Sequence, residues 1–248
     1  MIQGGTSVRF EWGVTGAAEL ARDCAALVLV DVLSFSTAVC VAVERGIRVH
    51  PFPWGEQARA YAERVGAVVA VERGAVSARQ PYSLSPAALA NAPVVPDLVL
   101  PSPNGSAISA AAASTGLPVV AACFRNASAV GRWLRSQSFG TLDAPVGVVA
   151  AGERWPDGQL RPCVEDLLGA AAVIDTLADV DTLLSVEAAV ALAALAGVPD
   201  VAAAVRGSES GRELLARDFA GDVELAVERD CSAVVPTLTA GAFAPAVQ

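Results

Sequence analysis

Six short apolar runs punctuate the first two thirds of the chain: Ala26–Val30, Ile47–Phe52, Ala67–Val71, Asp97–Leu100, Pro118–Ala122 and Val146–Ala150. Runs this short, most of them apolar on every residue rather than alternating, suit strands covered on both faces. The stretches between them, Thr37–Arg45, Glu56–Val65, Ser106–Ala113, Ala127–Gln137 and Glu165–Ala178, have the Ala-rich composition of helices. Such alternation predicts an α/β protein: three layers, α/β/α, around a mostly parallel or mixed sheet. From Val186 the strand signal fades. Val186–Ala196, Val201–Val205 and Gly211–Phe219 predict a helical C-terminal third. Pro81, Pro86, Pro93 and Pro96 make Arg79–Asp97 the expected irregular excursion. A chain of 248 residues forms one unit of this kind, over 1–248, with 180–186 as the place where it would divide.

Charge and residue usage exclude much chemistry. The formal net charge is -9, with no basic stripe, which disfavours nucleic acid and anionic membrane as partners. No apolar run reaches the ~18 to 20 residues of a membrane span. Met1–Gly5 lacks the charged-then-apolar layout of a secretory signal, and five cysteines without a C-x-x-C pair suggest reduced thiols, so a cytoplasmic location is expected. All seventeen basic residues are arginine. Without lysine there is no P-loop, no Schiff base and no haloacid-dehalogenase-type phosphatase site. His50 is the single histidine and is expected to be structural, so a poly-histidine zinc site is excluded. A cysteine phosphatase needs C-x5-R, yet the residues six beyond the cysteines are Val30, Gly46, Ala129, Gly169 and Thr237.

Four strand-to-helix junctions hold the polar residues suited to chemistry. At the first, Asp31 ends a strand, with Ser34, Ser36 and Thr37 where a helix should start. A strand-end carboxylate suits Mg²⁺ and a helix start suits an oxyanion, while the alternative is a buried capping Asp with ordinary helix-start hydroxyls. At the second, Asn104-Gly105-Ser106 has the turn chemistry of an anion nest or of a plain turn. The third, Cys123-Phe124-Arg125-Asn126, offers a guanidinium for a carboxylate, sulfonate or phosphate, or a surface ion pair. The fourth runs from Gly152-Glu153-Arg154 to Glu165-Asp166, two acids that would also complement a helix dipole. In an open parallel sheet all these strand ends lie along one edge, so the four loops should meet in one crevice.

The chain resembles the 2-phosphosulfolactate phosphatase family over nearly its full length. The resemblance rests on Val30-Asp31-Val32-Leu33 with Ser36-Thr37, on Glu72-Arg73-Gly74, on Pro103-Asn104-Gly105-Ser106 and on Phe124-Arg125-Asn126-Ala127-Ser128. It continues through Ala151-Gly152, Glu165-Asp166, Ser208-Glu209-Ser210-Gly211-Arg212 and Val234-Val235-Pro236. It implies a Mg²⁺-dependent hydrolysis of 2-phosphosulfolactate to 3-sulfolactate and phosphate, a step of archaeal coenzyme M synthesis, or of a close analogue. It also implies roles: Asp31, Glu165 and Asp166 for the metal, and Glu153 or Glu72 as base. Arg125, Arg154 or Arg73 would take the substrate's second anion, and Ser36, Thr37, Asn104, Gly105, Ser106, Asn126 and Gly152 the phosphate.

The chain departs from the family at Ser34-Phe35, where an Arg is usual, and at Ala150 and Gly169, where cysteines are usual. Ser210 stands for a His, and Gln80–Pro86 is a reduced version of a polar stretch. Altered substrate choice is the expectation, with a catalytically silent relative that binds a phosphorylated metabolite as the alternative and a purely structural protein as a remoter one. A homo-oligomer is left open.

Overall fold

The computed structural model describes residues 2–246. Its strands are β1 (Val8–Trp12), β2 (Ala26–Val30), β3 (Arg48–Phe52), β4 (Val68–Val69), β5 (Asp97–Pro101), β6 (Val119–Ala122), β7 (Val146–Ala150), β8 (Glu153–Arg154), β9 (Leu160–Arg161), β10 (Pro236–Thr239) and β11 (Ala242–Pro245). The helices are α1 (Gly13–Leu20), α2 (Phe35–Glu44), α3 (Gln57–Val65), α4 (Pro86–Asn91), α5 (Gly105–Ala113), α6 (Ala127–Ser136), α7 (Val164–Leu177), α8 (Val186–Ala196), α9 (Val201–Gly207), α10 (Glu209–Ala216) and α11 (Ala220–Ala226).

Nine strands form one mixed, mostly parallel sheet in the order β1-β7-β2-β6-β10-β11-β3-β5-β4, giving the three-layer α/β/α fold. The continuous apolar runs of β2 and β7 are explained by cover on both faces. Val28, Val30 and Val148 join one core with α6, α7 and α8, while Leu27, Leu29 and Val149 join a second with α1, α2 and α5. Leu184 bridges Val8, and α8 packs on β1 and α7. Among the described residues no single helix is long and apolar enough to cross a membrane. The pair α8 and α9 would reach that length together but is bent by 100° at the break.

Three features differ from expectation. The C-terminal third is helical through α11, then adds the β10–β11 hairpin, which inserts into the middle of the sheet. Arg79–Asp97 is not wholly irregular, because Pro86 starts α4 and Ser85 caps it by accepting from the Ala88 N–H. An N-terminal pair, β1 and α1, precedes the first expected strand.

The hairpin also changes the geometry of the sheet edge. β1, β7, β2 and β6 are mutually parallel, as are β3, β5 and β4, but the pairs β6/β10, β10/β11 and β11/β3 are all antiparallel. Three reversals leave the two parallel groups running in opposite directions. The single shared edge therefore holds for β2, β6 and β7 only. The end of β5 reaches β2 from the other half of the sheet, aided by the twist accumulated over five strand steps, roughly 100° at about 20° each.

Candidate active site

Asp31 sits where the two halves meet. One carboxylate oxygen accepts the Phe35 N–H at the start of α2 (3.0 Å), and the other accepts the Gly105 N–H at the start of α5 (3.1 Å). One buried acid thus ties together the helix starts at Phe35 and Gly105, the second of them 74 residues beyond the acid itself. Gly105 is required at this approach, because a Cβ there would lie 2.3 Å from the Phe35 ring. Across β2, Asp166 in the first turn of α7 does a parallel job, accepting from Val32 N–H (2.7 Å) and Gly152 N–H (2.8 Å). Glu165 beside it is also buried.

These acids shift one another. Burial, then the charge of Glu153, pushes the Asp31 carboxyl up to about 7, against the pull of its two N–H donors and Arg73. Burial and the charges of Asp31 and Glu165 raise Asp166 well above the carboxylate range. Glu153 is raised too, chiefly by burial, although Asn104 donates to it (2.8 Å) and Arg161 lies near.

Asp31, Ser34, Glu72, Asn104 and Glu153 line a cleft of about 410 Å³, with Trp54, Ser102 and the guanidinium groups of Arg73 and Arg217. A larger depression of about 780 Å³ adjoins it at Trp54 and Glu72 but lacks Asp31 and Glu153. The smaller one is where Asp31, Glu72 and Glu153 meet two arginines. Arg73 donates to Asp222 (3.1 Å), to the Ser34 hydroxyl (2.6 Å) and to the Leu84 carbonyl (3.2 Å). A guanidinium thus reaches the Ser34 hydroxyl from the 3-10 turn at Arg73–Ala75.

Other expected residues serve the scaffold. Ser36 accepts from the Asp31 N–H (3.1 Å) and donates to Leu29 O, Thr37 donates to Val32 O (2.8 Å), and Ser106 donates to Ser102 O. These hydroxyls fix the junctions and have no free face toward a phosphate. Arg125 is bound by Glu44 and Glu228 and does not line the cleft. Asn126 bonds the backbone of Cys123, Ala121 and Val234, and the Gly152 N–H is taken by Asp166. Arg154 is exposed and donates to Gly158 O (3.1 Å) within its own β8–β9 turn. Phe35, at the departure from the family's usual Arg, is fully buried against Gly105 and Phe243. His50 is structural as expected, bonded to Asp97 (2.7 Å) and Tyr61 (3.3 Å). Among the described residues, no three His, Cys, Asp or Glu side chains converge as a preformed metal cage, Asp31, Glu165 and Asp166 included.

Sequence reasoning missed Trp54, Ser102, Arg217 and Asp222. Asp222, fully buried on α11, anchors Arg73 and also accepts from Ser85 and the Ala87 N–H. A lone Asp in a helical stretch carries no local signal of that task.

A mixed α/β sheet with an acid-lined cleft at converging helix starts, and arginines on its wall, is the architecture of an enzyme that handles a small anion. A model of the 2-phosphosulpholactate phosphatase family matches residues 15–241, and the chain belongs to that family. The family is one of phosphoric monoester hydrolases, which sets the reaction class of this chain and implies a small phosphorylated substrate. A comparison with curated proteins found no match.

Proposed function

We propose that the protein is a magnesium-dependent phosphatase that hydrolyses 2-phosphosulfolactate, or a close phosphorylated hydroxy acid, to the free hydroxy acid and phosphate. The observation that carries this reading is the cleft itself. Three acids, Asp31, Glu72 and Glu153, face two arginines across a space sized for a small molecule. That balance repels a phosphate dianion unless a cation joins it.

The donors fit Mg²⁺. They are hard oxygens in excess, and burial, then the charge of neighbouring acids, already raises the pKa of Asp31 and Asp166. Mg²⁺ is commonly held by one or two carboxylates plus water and substrate phosphate, so a closed cage is not required. Asp31 would hold the ion from the cleft wall, with Glu165 and Asp166 behind it. When bound, the ion supplies charge neutralisation for phosphoryl oxygens and a more acidic water. Glu153, oriented by Asn104, would take the proton from the attacking water, with Glu72 as a second acceptor at the mouth. Arg73, joined to Ser34, would bind the substrate's carboxylate or sulfonate. Five free thiols, four of them buried, support a reducing, cytoplasmic setting.

Phosphate release from a panel of small phosphorylated hydroxy acids tests this reading. Turnover of phosphosulfolactate is expected with Mg²⁺ and its loss with EDTA. Full activity in EDTA would exclude the metal. One observation favours a second reading, a silent relative that only binds: every oxygen of Asp31 and Asp166 already accepts an N–H. Binding heat for the same compounds without phosphate release would establish it.

A further inference from the structure

We infer that Ser102 is a substrate-binding residue, its hydroxyl donating to a phosphoryl oxygen held at the start of α5. This rests on the phosphatase reading above and identifies which end of the substrate lies where.

Ser102 follows β5 and is 1% exposed. Its backbone is pinned on both sides, the N–H donating to Phe52 O (3.1 Å) and the carbonyl accepting from Ser106 Oγ. Pro101 and Pro103 flank it and narrow the backbone further. Yet the Ser102 hydroxyl has no hydrogen-bond partner. Among the described residues only two other buried side-chain atoms share that condition, Arg125 Nε and Trp133 Nε1, and neither residue lines this cleft.

The neighbouring hydroxyls are not similarly idle. Ser34 accepts from Arg73, Ser36 bridges Asp31 and Leu29, and Ser109 donates to Gly105 O (2.7 Å). Buried polar groups are paired as a rule, and one left open on a cleft wall is matched to something that enters the cleft. A nucleophilic serine would be hydrogen-bonded to a base. Ser102 has no such partner, so its role is to donate rather than to attack.

The adjoining helix points to an anion. Asn104 makes no side-chain cap to α5, giving its amide to Glu153 instead, and Asp31 takes only the Gly105 N–H, so the next N–H groups, of Ser106 and Ala107, carry no side-chain cap. Ser102 and this helix start form the phosphate end, and Arg73 with Ser34 forms the other. The substrate is thereby oriented with its phosphoryl group beside Asp31 and Glu153.

The test is Ser102→Ala in the full chain with Mg²⁺ present. Because the lost hydroxyl bonds nothing in the free protein, the melting temperature without ligand should hold or rise. Affinity for inorganic phosphate, measured by calorimetry, should fall about tenfold, and kcat/KM for phosphosulfolactate by about ten- to a hundredfold. Ser102→Cys, similar in size but a weak donor, should lie between. Wild-type phosphate affinity in either variant would overturn the inference, whatever happens to kcat. If the wild type hydrolyses nothing but loses phosphate binding on Ser102→Ala, the phosphatase proposal falls and the role of Ser102 stands.

Discussion

Arg73 combines a buried anchor with an exposed task. Its Nε is tied to Asp222, and a terminal nitrogen faces Ser34 at the cleft wall. Lysine keeps the charge but cannot hold both partners in one plane. Arg73→Lys is therefore expected to lower kcat/KM for a doubly anionic substrate by about one to two orders of magnitude, the worth of one charge-assisted hydrogen bond. A phosphomonoester without the sulfonate should lose less, and an unchanged ratio between the two would remove Arg73 from substrate recognition. Phe35 carries the opposite lesson. Its ring lies 6.1 Å from that of Phe243 and fills the space that Gly105 leaves open. Phe35→Ala should cost about 3 to 5 kcal/mol in a urea titration, as cavity formation does, rather than change substrate choice. At Asp31 both oxygens accept N–H groups, and a carboxamide can satisfy only one of them. Asp31→Asn should abolish Mg²⁺-dependent turnover and shift the melting temperature by only a few degrees, because relief of charge repulsion offsets the lost cap.

At the scale of elements, the start of α7 and the end of β2 share a pH-sensitive junction. Asp31 and Asp166 bind protons more tightly in the folded protein than in the unfolded chain, since burial and neighbouring acids, Glu153 for Asp31 and Asp31 with Glu165 for Asp166, raise both. The folded state thus holds more protons between about pH 4, the unfolded value, and about pH 7, the folded value of Asp31. Their contribution to stability is greatest at the acid end of that window and is lost as pH rises through it. Metal-free protein should melt several degrees lower at pH 8 than at pH 5, with Mg²⁺ recovering most of the difference at pH 8. A melting temperature that rises between those pH values, with no effect of Mg²⁺, would show that these acids are compensated in another way. The elements themselves were largely legible: β2 and β7 match their apolar runs to the residue, and α8 matches its Ala-rich stretch. α4 was hidden because its four prolines' neighbourhood signals turns, although Pro86 at the first helical position and Ser85 before it are ordinary helix-start chemistry.

Across the whole molecule the β10–β11 hairpin joins the two parallel groups, with Thr237 paired to Val120 and Phe243 to Val49. Ending the chain after Ala233 would leave β6 and β3 each with one unpaired edge and Phe35 without Phe243. Such a truncation should give an aggregating or dye-binding species without a cooperative melt, whereas a soluble, cooperatively folding fragment would show that the halves pair without the hairpin. The hairpin strands are four residues each and bounded by prolines, so local pattern did not distinguish them from a terminal loop. Apolar runs in the sequence determined that the segments of β2 to β7 become strands and that β2 and β7 would be covered on both faces, because burial leaves its mark residue by residue along the chain. The acidic residues of the site were also visible as types and positions. Tertiary structure alone decided that β3, β5 and β4 run against the others, that Asp31 spans two helix starts, and that Arg73 rather than Arg125 or Arg154 faces the cleft. Those outcomes depend on pairing and packing between residues far apart in the chain, 39 and 149 positions for Arg73 with Ser34 and Asp222 and further still for Phe243 with Val49, and contacts at that separation have no periodic signature in the chain.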